Sequence, residues 1–399
     1  MEYYSVLLPL GVILIISKLL SKGSQKIGIP QVIGMLLAGV LVGLVKYVPV
    51  VGEIMLNDAA VTGLGFFAKI GVILIMFAAG LDIDIKEIKA VGVPSIIITL
   101  AGVFVPMLLG FGVAQLCMPG VSGIKNLFYG VILTATSVSV TVATLRELGY
   151  LNSKVGSTVV AAAILDDIIG IIVLSVVSSL EGESAESPWM VLLKTVLFFV
   201  SAVIVGLLVN KLFRWIEHKY PHHRLLPILG LALCFLFAFA SEKIFGVADI
   251  TGAFVAGLVL SANPEHTYIE RRSDIMSYMI FTPVFFANIG ITTQLTAIDS
   301  QMFVFGLLFI VAGLIGKVVG CGGTALMCRY GLKDSMRVGL GMMARAEVAL
   351  VCAQKGVESG IVNPSIMPFV VLLIIISSFA TPIFLKLSYK KQERKVLTK

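Results

Sequence analysis

VGSTVVAAAILDDIIGIIVLSVVS, residues 155–178, is long enough to cross a bilayer, and its two charges, Asp166 and Asp167, lie together at its middle. A carboxylate at that depth costs roughly 2.5–3.5 kcal/mol on insertion scales, and two neighbouring acids cost more because like charges repel. The pair therefore indicates that a proton, a metal cation or a buried base neutralises it. The alternative, a helix end or loop outside the membrane, is disfavoured by apolar flanks of about ten residues on both sides.

The rest of the composition is that of a membrane protein. Hydrophobic residues make up 58% of the chain, charged residues 13%, and the mean hydropathy is +1.02, whereas soluble domains have roughly 25% charged residues. This composition excludes a soluble enzyme and a nucleic-acid-binding protein, and it makes the lipid bilayer the expected partner. The five cysteines show no CxxC or Cys/His spacing. Neither a zinc site nor a disulfide framework is indicated, and we expect no cofactor.

Apolar runs separated by short loops predict an all-α polytopic protein with about thirteen transmembrane helices. Residues 1–388 are expected to form a single transmembrane unit, and residues 389–399 a basic cytoplasmic tail. The predicted spans are 4–20, 30–46, 62–80, 92–117, 126–148, 155–178, 189–213, 225–241, 247–261, 275–292, 302–327, 335–355 and 364–387.

Lysine and arginine are concentrated in alternate loops, beginning with Lys18, Lys22 and Lys26 after the first span. Basic loops remain on the cytoplasmic side of the membrane. With an odd number of spans, this pattern predicts a multi-pass protein of the cell membrane, with its N-terminus outside and its C-terminus in the cytoplasm.

Two halves of the chain, spans 1–6 and 8–13, share a pattern around the seventh span. The third span ends in FAAGLDI (77–83), and its counterpart, the tenth, ends in FFANIGI (285–291). Polar residues interrupt the fifth span at TATSVSVTV (134–142) and the twelfth at ARAEVAL (344–350). Paired interruptions at corresponding positions predict two inverted repeats with broken helices, as in secondary transporters. The alternative is two ordinary helices whose hydroxyls bond to their own backbone.

Further charged side chains lie deep in the apolar runs: Lys317 in the eleventh span, and Arg345 and Glu347 in the twelfth. Adjacent residues on a helix point about 100° apart, so Asp166 and Asp167 face different neighbours. We expect one to face a buried base, for which Lys317 is the obvious partner, and the other an aqueous cavity. Glu347 is expected to balance Arg345.

The acid that faces the cavity can hold either a proton or a small cation. Thr136, Ser137 and the freed backbone of the fifth span can supply the additional oxygen ligands of a cation. Competition between a proton and a metal cation for one carboxylate is sufficient for exchange, provided that the site must be occupied before it moves. The titration would then belong to the whole cluster.

With LDD (165–167), TATSVSVT (134–141), a mid-span Lys317 and RAEVAL (345–350), the chain resembles the monovalent cation:proton antiporter-2 family, in particular bacterial Na⁺/H⁺ antiporters of the NapA type. FAAGLDIDI, DITGAFVAGLVLS and PVFFANIGI are also similar to family segments. The resemblance covers about residues 5–388, and LDD together with the Thr-Ser stretch is its most specific part.

The resemblance implies the NhaA/NapA-like antiporter fold, with two crossing broken helices and an elevator-like movement of a core domain. The panel (dimer) domain would comprise about 4–80 and 225–292, the linker helix 189–213, and the core 92–178 and 302–387. It also implies a homodimer, electrogenic exchange and no enzymatic activity, whereas the physiological role (salt tolerance, pH homeostasis or spore germination) is left open.

Carried over residue by residue, the resemblance implies that Asp167 is the essential ion-binding carboxylate, which takes Na⁺ or Li⁺ in competition with H⁺. Asp166 matches the acid that pairs with the lysine, here Lys317, and Thr136 and Ser137 match the motif beside the ion. The family has Arg-Gly-Glu where this chain has Arg345-Ala346-Glu347. Both charges are kept, whereas alanine in place of glycine could alter the break between the half-helices. Asp249 stands where relatives have an apolar or small residue, and no role follows for it.

Four functions remain compatible with these residues. Exchange of Na⁺ or Li⁺ for H⁺ is the first, and a K⁺/H⁺ antiporter or K⁺ efflux system of the same fold is the second, since oxygen ligands alone do not define ion size. A sodium-coupled solute symporter would need polar substrate-binding residues, of which the sequence has few. A channel would conduct at rates independent of the proton gradient. Ion preference, stoichiometry and pH set point are left open.

Overall fold

The computed structural model describes residues 4–26, 31–48, 50–83, 92–151, 153–180, 188–219, 225–292 and 299–396. All regular elements in these ranges are helices. The α-helices are α1 (Tyr4–Lys26), α2 (Gln31–Leu44), α3 (Val51–Met55), α4 (Asp58–Leu81), α5 (Val93–Cys117), α6 (Gly123–Ile132), α7 (Val138–Glu147), α8 (Lys154–Leu180), α9 (Pro188–Lys219), α10 (Leu225–Lys243), α11 (Asp249–Ser261), α12 (His266–Met276), α13 (Thr282–Thr292), α14 (Ser300–Met327), α15 (Leu332–Gly341), α16 (Glu347–Glu358) and α17 (Met367–Val396).

Nine helices of the described part are long and apolar enough to cross a membrane, with α12 and α13 counted as one through the π-helical turn Ser277–Phe281. α2 and α11 are apolar but shorter. The predicted all-helical membrane fold is confirmed, whereas the number thirteen is not established by helix length. The reason is physical: a broken span consists of half-helices of ten to twelve residues, each roughly 15–18 Å long at 1.5 Å per residue.

The chain forms two compact units, which we call unit 1 (1–27, 31–85 and 182–293) and unit 2 (28–30, 86–181 and 294–399). Unit 1 contains α1–α4 and α9–α13, and unit 2 contains α5–α8 and α14–α17. The assignment of panel, linker and core roles stays a prediction. The last helix, α17, continues past residue 388, where the tail was expected to begin, and Tyr389 is buried.

Unit 1 repeats the order long helix, short helix, long helix: first α1, α2 and α4, then α10, α11 and the α12–α13 pair. α4 packs against α11 through reciprocal glycine contacts. A Cβ on Gly80 would collide with the Phe254 carbonyl, and a Cβ on Gly257 would collide with the Phe77 carbonyl. Small residues thus let the two helices approach at backbone distance, as is common in membranes.

Unit 2 repeats a different order: a long helix, a broken helix and a second long helix. The first set is α5, α6/α7 and α8, and the second is α14, α15/α16 and α17. α5 and α14 pack closely because Gly316 and Gly320 of α14 face the α5 backbone near Pro106 and Ala101. The half-helices on either side of the two breaks pack against the four long helices of unit 2, which are α5, α8, α14 and α17.

Side-chain caps fix where several helices begin. Asn57 accepts a hydrogen bond from the Ala60 N–H at 2.8 Å, and Asp299 accepts one from the Met302 N–H at 2.7 Å. These caps satisfy N–H groups that have no partner within a helix. Asp249 stands in the first turn of α11, where a carboxylate is favoured by the helix dipole. Its Oδ1 atom accepts a hydrogen bond from the Ile250 N–H at 2.9 Å.

Candidate functional site

Both predicted interruptions are real breaks in helices of unit 2. The chain leaves the helix between Ile132 and Val138, and again between Gly341 and Glu347. The two breaks lie side by side, because the Ser137 N–H donates to the Ala344 carbonyl at 2.8 Å. Four helix ends therefore meet in the interior of unit 2, each with main-chain groups that its own helix does not satisfy.

A second contact holds the crossing. The Thr141 hydroxyl, on α7, donates at 2.6 Å to the carbonyl of Gly341, the last residue of α15. The C-terminal end of one half-helix is thus bonded to the first turn of the other. Partial charges of opposite sign face each other here, since helix C-termini are negative and N-termini positive.

Asp166 and Lys317 form a buried ion pair between α8 and α14. Their Oδ1 and Nζ atoms are 2.5 Å apart, and both side chains are fully buried. Gly102 of α5 lies beside the pair: a Cβ at this position would collide with the Cys321 Sγ atom at 2.5 Å, whereas it would make ordinary van der Waals contact with Nζ and Oδ1. The second oxygen of Asp166, Oδ2, is buried and has no hydrogen-bond partner among the described residues. Half of this carboxylate is thus available to another positively charged or donating group.

Asp167, the next residue, is partly exposed and points to a different side of α8. It lies within electrostatic range of the Cys352 thiol on α16. Gly170, one turn later on the same face, is next to the first break, since its Cβ position is 3.5 Å from the Thr134 Oγ1 atom. The face of α8 that carries Asp167 is thus the face that meets the broken helices.

The polar residues of the first break are buried. Thr136 is 3% exposed, and its Oγ1 atom has no hydrogen-bond partner in the described part of the chain. Ser137 is also buried, and its backbone N–H makes the bond to the second break given above. A buried hydroxyl oxygen without a partner is uncommon in native structures, and this one is a candidate ligand for a cation.

Arg345 stands in the second break and reaches into the first. Its guanidinium donates to the carbonyls of Ala135 and Gly313, the latter at 3.0 Å, and the whole side chain is buried. The charge of Arg345 is thus spread over carbonyl dipoles of α14 and of the first break. Glu347, its expected counter-charge, begins α16, and its side chain lies outside the described residues.

Unit 2 thus brings together Thr136, Ser137, Asp166, Lys317 and Arg345, with Asp167 on the adjoining face. Sequence reasoning missed the residues that hold Arg345 in place, which are Gly313, Ser377 and Ser378. A signal for the serines exists: they form an adjacent polar pair within an apolar span, as the two acids do. Gly313 acts through its carbonyl, and no side-chain pattern reveals such a role.

Comparison of the sequence with known proteins assigns the chain to a family. The model of the family described as "Sodium/hydrogen exchanger, transmembrane" matches residues 11–389. The Na⁺/H⁺-K⁺ antiporter GerN of Bacillus cereus is 33% identical over 386 residues, which cover 96% of each chain. The Na⁺/H⁺ antiporter of Enterococcus hirae is 30% identical over 395 residues, covering 98% of this chain and 99% of that protein.

The fold is also found among solved structures. The sodium proton antiporter MjNhaP1 from Methanocaldococcus jannaschii at pH 8 superposes with a TM-score of 0.75 over 98% of both chains, at 20% sequence identity. At this identity the likeness concerns the fold alone, and it agrees with the antiporter fold that the sequence resemblance implied. By the family model and by its relatives, the chain belongs to the sodium/hydrogen exchanger family of monovalent cation:proton antiporters.

Proposed function

We propose that this chain exchanges Na⁺ or Li⁺ for H⁺ across the cell membrane, as a transporter and not as an enzyme. The observation that carries the proposal is the unequal position of the two acids. Asp166 is neutralised by Lys317 at 2.5 Å, whereas Asp167 is partly exposed on the side of the broken helices. Lys317 balances one carboxylate of the pair, and a charged carboxylate at membrane depth is costly. A removable proton or metal cation at Asp167 lowers that cost.

Asp167 is the exchangeable carboxylate of this proposal. A proton or a Na⁺ ion neutralises it, but both cannot do so at once, so each expels the other. Thr136 supports the assignment, because its buried Oγ1 atom has no partner among the described residues and is a suitable oxygen ligand for a hard cation. Ser137 belongs to the same break and contributes its hydroxyl. Arg345 and Glu347 support the site from the second break.

The carbonyl ends of the broken helices contribute to the same site. Half-helix ends at the membrane midplane present carbonyls to cations and N–H groups to anions in transporters of this general kind. A cation bound there loses its hydration shell and gains these fixed carbonyl dipoles, so its charge stays compensated in the low-dielectric interior. The core (92–178 and 302–387) then carries the occupied site between the two sides by alternating access, in an elevator-like movement within a homodimer.

Exchange of K⁺ for H⁺ is the second candidate. GerN is named an Na⁺/H⁺-K⁺ antiporter, and a K⁺/H⁺ antiporter of Saccharomyces cerevisiae is 26% identical over 393 residues, which cover 92% of this chain and 44% of that protein. The ligands proposed above are oxygens, which accept either ion. Direct competition between Na⁺, Li⁺ and K⁺ in one preparation separates the two functions.

The test uses the purified full chain in proteoliposomes with an imposed pH gradient and a pH-sensitive dye. We expect Na⁺ and Li⁺ to dissipate the gradient, and Asp167→Asn to abolish this response. Glu358→Gln is the matched control, because Glu358 is an exposed acid of the same unit. Full exchange by Asp167→Asn would exclude Asp167 as the exchangeable site, and a response to K⁺ alone would favour the second function.

A further inference from the structure

Two adjacent serines lie in the middle of the last helix of unit 2. Ser377 and Ser378 stand in IISSFATP (375–382), an apolar part of α17, and both are buried. An isolated serine in such a helix usually bonds to its own backbone. Ser377 does so at Ile374, at 3.2 Å, yet both serines also bond outside their helix.

Both external bonds go to one residue, Arg345. The Arg345 N–H donates to the Ser377 Oγ atom at 3.0 Å, and the Ser378 hydroxyl donates to the Arg345 carbonyl at 3.3 Å. Arg345 lies in the second break, where no helix satisfies its main chain. The serine pair therefore fixes the backbone of this residue from both its donor and its acceptor side.

The position of that backbone decides where the guanidinium lies. Arg345 donates to the Ala135 carbonyl in the first break and to the Gly313 carbonyl in α14, one turn before Lys317. A shift of its backbone moves a buried charge that also interacts electrostatically with Asp166. The serines are thus linked to Asp166 through Arg345.

The serine pair also corresponds in position to the acid pair. In each set of unit 2, a break is followed about thirty residues later by two adjacent polar residues in the next long helix: Asp166 and Asp167 in α8, Ser377 and Ser378 in α17. The second set holds its positive charge permanently, as Arg345, so neutral hydroxyls are sufficient there. In the first set, the second positive charge of the proposed function is a bound proton or cation that must leave, and carboxylates can bind and release it.

We infer that Ser377 and Ser378 are positioning residues for cation exchange, which set the affinity for Na⁺ by holding Arg345 between the two breaks. The inference rests on the function proposed above. Loss of one of these buried hydrogen bonds is expected to raise the apparent KM for Na⁺ by about five- to tenfold, while the maximal rate per folded protein changes less than twofold.

The test measures Na⁺-dependent exchange in proteoliposomes for Ser377→Ala, Ser378→Ala and Ser377→Thr. Threonine keeps the hydroxyl, so Ser377→Thr is expected to retain an apparent KM close to that of the wild type. Ser388→Ala is the matched control, because among the described residues the Ser388 hydroxyl bonds to the Leu385 carbonyl of its own helix. Stabilisation of the detergent-solubilised protein by NaCl over choline chloride, followed as Tm, gives a second readout of affinity.

A loss of protein yield or rate in Ser377→Ala with an unchanged apparent KM and an unchanged NaCl-induced shift in Tm overturns the inference, because a purely structural serine predicts that outcome. An equal loss of affinity in Ser388→Ala also overturns it. A wild-type protein that exchanges no monovalent cation overturns this inference and the proposed function together, whereas an active wild type with unaffected serine variants overturns this inference alone.

Discussion

The Nζ atom of Lys317 lies 2.5 Å from Oδ1 of Asp166, in a place where neither side chain is exposed. The pair connects the long helix after the first break, α8, with the long helix before the second, α14. Removal of either charge leaves the other buried without compensation, which typically costs about 3–5 kcal/mol.

We expect Lys317→Ala and Asp166→Asn each to lower the Tm of the solubilised protein, because each leaves half of the pair buried. The double variant Asp166→Asn/Lys317→Met removes both charges and is expected to recover most of the stability. Fluorescence-detected thermal unfolding measures all three variants against the wild type. A double variant less stable than either single one would show that the two residues do not compensate each other.

Thr136→Val replaces a buried hydroxyl with a methyl group of similar volume. The Thr136 oxygen has no hydrogen-bond partner among the described residues. The change is therefore expected to alter the free energy of unfolding by less than about 1 kcal/mol, with little change in Tm, while it weakens Na⁺ binding. Exchange assays should show a higher apparent KM for Na⁺ and Li⁺. Thr136→Ser keeps the oxygen and serves as the control. Equal affinity in Thr136→Val and the wild type would remove Thr136 from the ligand set.

Competition for Asp167 predicts how exchange depends on pH. A proton and a cation exclude each other from the carboxylate, so acidification should raise the apparent KM for Na⁺ and leave the maximal rate at saturating Na⁺ unchanged. The rise should approach about tenfold per pH unit where the proton is the main occupant, as one-for-one competition requires. Rates in proteoliposomes with equal pH on both sides, at several Na⁺ concentrations, measure this. A KM independent of pH would contradict a shared site.

Gly80→Ala tests the packing of unit 1. The added Cβ would collide with the Phe254 carbonyl, which is backbone and cannot rotate away, and overpacking of this kind costs about 1–3 kcal/mol. Gly65→Ala in the same helix is the control, because a Cβ there meets no atom within 4 Å. We expect Tm to fall in the first variant and to stay level or rise in the second. Equal Tm values would contradict the close α4–α11 contact.

The sequence predicts much of this molecule, because charges and helix interruptions are costly in a membrane and therefore visible. The breaks at TATSVSVTV and ARAEVAL are confirmed. The structure places Lys317 beside Asp166, as expected from the need to neutralise one acid. The role of Asp167 stays a prediction.

Other features are harder to predict. Ser377 and Ser378 are visible as an adjacent polar pair in an apolar span, but their partner is a main chain that becomes available only when the second break forms. The Gly313 carbonyl is invisible in any side-chain pattern. The balance of Arg345 by Glu347, expected from their charges and their closeness in sequence, stays a prediction, and the described contacts of the Arg345 guanidinium are to carbonyls.

The crossing of the two breaks has a consequence for any ion that arrives from water. An aqueous cation is surrounded by oriented dipoles that are free to turn, and it loses them at great cost in hydrocarbon. Where Ser137 bonds to Ala344 and Thr141 to Gly341, the polypeptide itself provides oriented dipoles that are held in place. At the crossing of the two breaks, fixed main-chain dipoles of unit 2 thus take the place of water dipoles that the apolar interior of a bilayer cannot provide.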